Sequence, residues 1–164
     1  MSDPFKITEP TCISFSGGRT SAYMLWRVIQ SGGGQLPCQA IVCFANTGKE
    51  DEATLKFVQD CSDRWNVEIH WVERRSNDIG FERVTFETAS RNGEPFEELI
   101  KKRNYLPNPV ARICTSELKI RVQSKYLAFL DDGIVADPTP AAGQTLMPIV
   151  YTQDDSAVTI AAAY

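Results

Sequence analysis

Apolar strand-like runs alternating with helical stripes constrain this chain of 164 residues more than any other feature. Residues 11–15 (Thr-Cys-Ile-Ser-Phe) read as a buried strand. Residues 40–45 (Ala-Ile-Val-Cys-Phe-Ala) form a second, continuous apolar run, the mark of a strand covered on both faces. Residues 67–72 read as a third strand. Between the first two, Ala22, Leu25, Trp26 and Ile29 recur at i, i+3, i+4 and i+7 and predict an amphipathic helix that the glycines at 32–34 stop. Between the second and third, Thr54, Phe57, Val58, Cys61 and Trp65 give another helical stripe. Strand, helix, strand, helix, strand at this spacing implies an α/β fold, with a parallel sheet joined by right-handed crossovers.

The rest of the chain is less regular. Residues 73–93 disperse Arg74, Arg75, Arg83 and Arg91 among Asn, Ser, Thr and Gly, which predicts a long loop or partly ordered insertion. Residues 95–103 read as a short helix with Phe96, Leu99 and Ile100 inward, and the prolines at 107 and 109 break the chain. Residues 115–130 predict a helix with Leu118, Val122, Tyr126 and Phe129 on one side. Residues 133–136 read as a short strand, and the stretches 149–152 and 157–160 as a hairpin.

Three segments carry candidate chemistry. The first follows the first strand and opens the first helix: Ser16, Gly17, Gly18, Arg19, Thr20 and Ser21. Unpaired N–H groups at a helix N-terminus and the helix dipole favour an anion there. The two glycines keep side chains away from that backbone, the serines add hydroxyl donors, and Arg19 adds a cation. The spacing is neither a Walker loop nor a dinucleotide fingerprint. A plain tight turn between strand and helix has the same composition. The second segment ends the second strand, with Asn46, Thr47, Gly48, Lys49 and Glu50, and on its own would read as a helix cap and turn. In an open parallel sheet ligands bind beyond the carboxyl ends of the strands, so two such loops side by side predict a shared nucleotide crevice. The third, Arg112-Ile-Cys-Thr-Ser-Glu-Leu-Lys119, sets Arg112 and Lys119 around a helix start. Cations there oppose the dipole unless a polyanion lies between them, or unless they are solvated or paired with acids such as Glu117. Cys114 invites a nucleophile reading, because helix N-termini and neighbouring cations lower thiol pKa values, but no histidine adjoins it and a small buried cysteine is the more frequent case.

Composition bounds the function classes. A net charge of −4 argues against wholesale coating of nucleic acid. The charge is uneven: every lysine and arginine lies at or before Lys125, whereas Asp131, Asp132, Asp137, Asp154 and Asp155 follow it. This divides the chain into a domain of residues 1–130 and an acidic C-terminal extension of residues 131–164. Five cysteines without paired spacing and a single histidine, His70, predict neither a disulfide scaffold nor a zinc or other metal site. No apolar run approaches a membrane span and no secretory signal pattern is visible, so the expected setting is the cytoplasm, without membrane. Arg74, Arg75, Lys101, Lys102 and Arg103 are the residues that would contact a nucleic acid, although such charged surfaces are usually just solvated.

The three segments in order, Ser16-Gly-Gly-Arg-Thr-Ser21, Asn46-Thr-Gly-Lys-Glu50 with Thr54, and Arg112-x-Cys-Thr-x-x-Leu-Lys119, resemble the PP-loop ATP pyrophosphatase superfamily, most closely its phosphoadenosine phosphosulfate (PAPS) reductase-like branch. The resemblance covers roughly residues 11–130. It implies a three-layer, Rossmann-like adenine nucleotide alpha-hydrolase-like fold. It implies that the first loop holds nucleotide phosphates, that the second strand's end, including Phe44, lies near the adenosine, and that Arg112 and Lys119 face the phosphate or sulfate end. ATP or a PAPS-type nucleotide, with magnesium in ATP-using members, is the implied cofactor, and Arg19, Arg112, Lys119 and Cys114 are the implied catalytic residues. The chain departs from the family at Arg19-Thr20, where many members have Lys-Asp, and in having no cysteine after Cys114 and no basic strand end at residues 133–138.

These readings expect an enzyme that cleaves ATP between the α and β phosphates, or sulfur chemistry on a sulfonucleotide. A non-catalytic nucleotide-binding subunit of a larger complex is the other expectation. The acceptor stays open, as do nucleic acid, protein or a second copy of the chain as partners. The resemblance also points to a phage or mobile-element source.

Overall fold

Alternation of side chains across each strand builds two cores, one on each face of a single sheet. The computed structural model describes residues 3–106, 113–131, 147–151 and 158–160. In order they form β1 (Thr11–Ser14), α1 (Arg19–Ser31), β2 (Ala40–Asn46), α2 (Glu52–Trp65), β3 (Ile69–Arg74), β4 (Phe81–Val84) and α3 (Glu94–Arg103). A π-helical stretch (Cys114–Ile120), α4 (Arg121–Asp131), β5 (Met147–Tyr151) and β6 (Val158–Ile160) follow. The sheet order is β4-β3-β2-β1-β5-β6. β1 pairs in parallel with β2 and β5, and β2 with β3, while the edge strands β4 and β6 are antiparallel to their neighbours. The architecture is therefore α/β with a mostly parallel open sheet.

Ile13, Phe15, Val42, Phe44, Ile69 and Trp71 project to one face, where Leu25, Val28 and Ile29 of α1 and Leu55 and Val58 of α2 cover them. Cys12, Cys43, Ala45 and Val72 project to the other, beneath Val122, Tyr126, Leu127 and Leu130 of α4. Helices on both faces explain why β2 reads as continuously apolar rather than alternating. α4 is tied down by two polar contacts. His70 Nδ1 lies 2.5 Å from the Tyr126 hydroxyl, and Gln123 Nε2 donates to the Cys43 carbonyl at 3.4 Å. No helix among the described residues is long and apolar enough to cross a membrane.

The structure departs from the sequence expectations at four places. Trp26 is 39% exposed and stacks on Tyr23 along the outer edge of α1. The inner arc of that helix is centred on Leu25 and Val28, one position away. In α2 Leu55, outside the expected stripe, is as fully buried as Val58, while Phe57 and Trp65 are only half-buried. Residues 73–93 are not a long loop. β3 runs on through Glu73 and Arg74, and the chain turns back as β4 with Arg74 opposite Phe81. Charged residues hid that strand end. Glu73 lies in a strand because it finds partners there, while Arg74 has only long contacts, to Ser76 Oγ and Glu98. Beyond β4, Arg91 braces the chain against α2, holding Glu52 at 2.7 Å and the Phe86 and Ala89 carbonyls at 2.9 Å. Finally, the helix expected over residues 115–130 begins with seven π-helical residues. The expected strand at 133–136 lies outside the described residues.

The His70–Tyr126 contact joins β3 to α4 with both groups buried. Tyr126→Phe removes the hydroxyl and keeps the ring, so it should lower stability by about 1–2 kcal/mol. Urea unfolding followed by circular dichroism measures this, and an unchanged midpoint would show that the bond contributes nothing.

Candidate functional site

From β1 the chain crosses to β2 on one side, while β5 occupies the other side of β1. Strand order thus reverses at β1, and its carboxyl end opens into the crevice where sheets of this kind take ligands. The loop Ser16-Gly17-Gly18 sits there. Phe15 N donates to the Cys43 carbonyl at 2.8 Å, which sets this loop beside the end of β2.

The N-terminus of α1 is open. Gly18 is its N-cap and supplies no side-chain acceptor, and no acidic residue lies in the first turn. The first N–H groups of the helix therefore lack the partner a serine or aspartate cap would give. Ser16, Gly18, Arg19 and Thr20 are exposed, and Arg19 pairs with no carboxylate among the described residues. Ser21 is buried and braces the loop from below. Its hydroxyl donates to the Gly18 carbonyl at 2.9 Å and accepts from Ser16 Oγ at 3.0 Å and Ser16 N at 3.3 Å. Its proton is committed to the backbone, so Ser21 shapes the cradle, and Ser16 is the hydroxyl on the rim.

The two glycines do different work. Gly17 has φ +77, and a Cβ there would stand 2.7 Å from Thr54 Cγ2, 3.2 Å from Val58 Cγ2 and 3.3 Å from the Phe44 ring. Its missing side chain lets the loop lie on α2 and β2. That corrects the reading in which both glycines clear the way for an anion. A Cβ at Gly18 would meet only Ser16 Oγ, at 3.6 Å, so Gly18 is the position that leaves the backbone open. Phe44 is a core residue, 1% exposed and edge-on to Trp71 at 4.8 Å, and supports the loop from beneath.

The second loop is held by a buried polar hub. Asn46 and Glu73 are register partners at the ends of β2 and β3, and neither is exposed to solvent. Asn46 Nδ2 donates to Glu73 Oε1 at 2.6 Å and to the Ser90 carbonyl at 2.9 Å, while its Oδ1 accepts from Gly48 N at 3.1 Å. Glu73 also accepts from Ser90 N and Ser90 Oγ, both at 2.7 Å, and pairs with Arg75 at 2.7 Å. Asn46 and Gly48 are thus structural. Thr47, also buried, donates to Glu50 Oε1 at 3.1 Å, which leaves Glu50 as the partly open carboxylate of this loop.

Lys119 reaches Glu50 at 3.9 Å, so the π-helical stretch does meet the second loop. Arg112 lies outside the described residues. Burial raises the Cys114 thiol pKa above its ordinary value, outweighing a backbone hydrogen bond and Lys119, which pull it down. That environment is the opposite of an activated thiolate's. Among the described residues no three or more His, Cys, Asp or Glu side chains gather as a metal cage.

Sequence reasoning missed Glu73, Arg75 and Ser90. The one legible signal was a carboxylate ending the third strand at the level where the second ends in asparagine.

No family model matches this chain, and no solved structure matches it. It is similar to the uncharacterized nin region protein ORF290 of Escherichia phage lambda, 30% identical over 122 residues. The aligned stretch is 70% of this chain and 41% of that protein, so the chain spans about two fifths of the relative's length.

Two substitutions separate packing from openness in the first loop. Gly17→Ala should cost roughly 2–4 kcal/mol through its positive φ and overlap with Thr54. Gly18→Ala should cost at most about 1 kcal/mol. Equal costs in thermal or urea unfolding would contradict the assigned roles. Glu73→Ala leaves the buried Ser90 N–H and one Asn46 Nδ2 donor without their acceptor, while Arg75 keeps Glu82, and should cost about 2–4 kcal/mol in the same measurement. A loss below 1 kcal/mol (roughly that of an exposed pair) would show the hub to be dispensable.

Proposed function

We propose that this chain binds an adenine nucleotide in the crevice at the end of β1, in the manner of the PP-loop ATP pyrophosphatases it resembles. It uses ATP or a sulfonucleotide at the α-phosphate. The observation that carries the reading is the uncapped, acid-free N-terminus of α1, exposed where strand order reverses, with Arg19 beside it holding no carboxylate among the described residues. An anion there meets backbone donors, the helix dipole and a guanidinium together. Lys119, drawn to the crevice by Glu50, adds a second cation. A magnesium ion carried by the nucleotide would find a carboxylate at Glu50 and would neutralise phosphate charge there. On the same grounds the sheet with helices on both faces is read as adenine nucleotide alpha-hydrolase-like, in three layers. Similarity to a phage protein supports a phage or mobile-element source.

The residues present favour adenylylation over thiol chemistry. The Cys114 thiol is held protonated by burial. The only histidine, His70, is buried against Tyr126 under α4. Charge stabilisation by backbone N–H groups, Arg19 and Lys119 needs neither thiolate nor base. With no histidine at the crevice and a Cys114 thiol whose pKa burial raises, the second reading is a nucleotide-binding subunit without turnover.

Thermal shift and calorimetry with ATP, AMP, PAPS and adenosine phosphosulfate, with and without magnesium, test the proposal. ATP or PAPS should stabilise the protein, and Arg19→Ala or Lys119→Ala should weaken binding about tenfold. Magnesium-dependent pyrophosphate release that survives in Cys114→Ser would support the enzyme, and binding without release the subunit. Failure of every nucleotide to bind would overturn both.

A further inference from the structure

A second concentration of positive charge lies beyond the carboxyl end of β3, two strands from the first loop, or about 10 Å by strand spacing. A cavity of about 280 Å³ opens there between the β3–β4 turn, the end of α3 and the start of α4. Its charged lining is Arg74, Arg75, Lys102, Arg121, Lys125 and one carboxylate, Glu117.

The pairing is lopsided. Arg75 is neutralised by Glu73 at 2.7 Å and Glu82 at 2.6 Å. Glu117 is taken by Arg121 at 2.7 Å and by Arg103. Arg74, only 7% exposed, has just long contacts, to Ser76 Oγ at 3.5 Å and Glu98 at 3.9 Å. Lys102 and Lys125 pair with no carboxylate among the described residues. Three under-compensated cations line one cavity, one of them buried, where the usual solvation of a surface charge does not apply.

The wall is also built. Gly80 has φ +87, and a Cβ there would fall 2.1 Å from Lys125 Nζ, so the ammonium lies across the turn in the space a side chain would fill. The turn is braced by Asn77, whose Oδ1 accepts from Gly80 N at 2.6 Å and whose Nδ2 donates to the Phe81 carbonyl at 3.0 Å. Ser76 N donates to Glu98 at 2.9 Å, fixing the turn to α3.

We propose that this cavity is a second oxyanion site that takes the phosphomonoester group of a compact ligand. A closed cluster of this volume suits one phosphate on a small molecule better than a phosphodiester track, which needs a stripe of cations along a surface. The π-helical stretch links the two sites, with Glu117 lining the cavity and Lys119 two residues on at Glu50. A phosphorylated acceptor held here would stand next to a nucleotide in the crevice. That role rests on the proposed function, whereas the phosphate site does not.

Calorimetric titration with inorganic phosphate, ribose 5-phosphate and single-stranded oligothymidylate tests it on the intact chain. The double variant Lys102→Ala/Lys125→Ala changes only exposed side chains and should fold as the wild type by circular dichroism. It should weaken both small phosphates about tenfold while leaving ATP within about twofold. Arg19→Ala should do the reverse, so failure of the nucleotide reading leaves this result interpretable. Unchanged phosphate affinity in Lys102→Ala/Lys125→Ala, or no phosphate binding to the wild type, overturns the proposal. Oligothymidylate binding tighter than ribose 5-phosphate, with a salt dependence of several phosphates, overturns the compact ligand in favour of a strand.

Discussion

One buried carboxylate holds the carboxyl edge of this sheet together. Glu73 has no exposed surface, yet it accepts from Asn46 and from the Ser90 backbone and hydroxyl, and it forms an ion pair with Arg75. An ionised group in that position is tolerable only because its acceptor sites are filled. The consequences spread outward. Asn46, fixed by Glu73, fixes Gly48 and so the second loop. Ser90, fixed by Glu73, pins the chain that follows β4. Arg75, which lines the neighbouring cavity, is neutralised by Glu73 and Glu82, and this leaves Arg74 as the cavity's buried cation with only long contacts.

The first loop obeys a steric constraint rather than an electrostatic one. Gly17 must lie against Thr54, Val58 and Phe44, so the cradle above it is set by packing of α2 on β2. Ser21 closes the underside with hydrogen bonds internal to the loop. What faces solvent is the unpaired start of α1 and Arg19. Shape is thus carried by buried neutral contacts, and charge is kept at the surface where a ligand can reach it. The second cavity differs in this respect, since Gly80 makes room for the Lys125 ammonium and Arg74 is a buried cation, whereas Gly17 makes room for Thr54.

Much of the scaffold was legible in the chain. The strands at 11–15 and 40–45, both first helices and the two strand-end loops follow from apolar periodicity and glycine placement, which act over a few residues. Trp26 was misread because a stripe defined by four positions leaves the centre of a helix face uncertain by one residue. The end of β3 and all of β4 were missed because Glu73, Arg74, Glu82 and Arg83 look like loop residues when their partners are out of sight.

The assignment of Phe44 and Asn46 to a ligand failed to anticipate that both are buried, one under Gly17 and one on Glu73. Periodicity states which segments are strands or helices and which loops end them, because backbone preference and alternation are local properties. It cannot state what satisfies a charge. Asn46, Glu73 and Ser90 are separated by 27 and 17 positions and meet only when β2, β3 and the chain after β4 are laid side by side. The same folding gathers Arg74, Lys102 and Lys125 around one cavity. The glycine loop between β1 and α1 was therefore visible in the order of residues. The buried hub beneath its neighbour, and the second basic cavity, came into being only with the sheet, because their energies depend on desolvation and on partners distant along the chain.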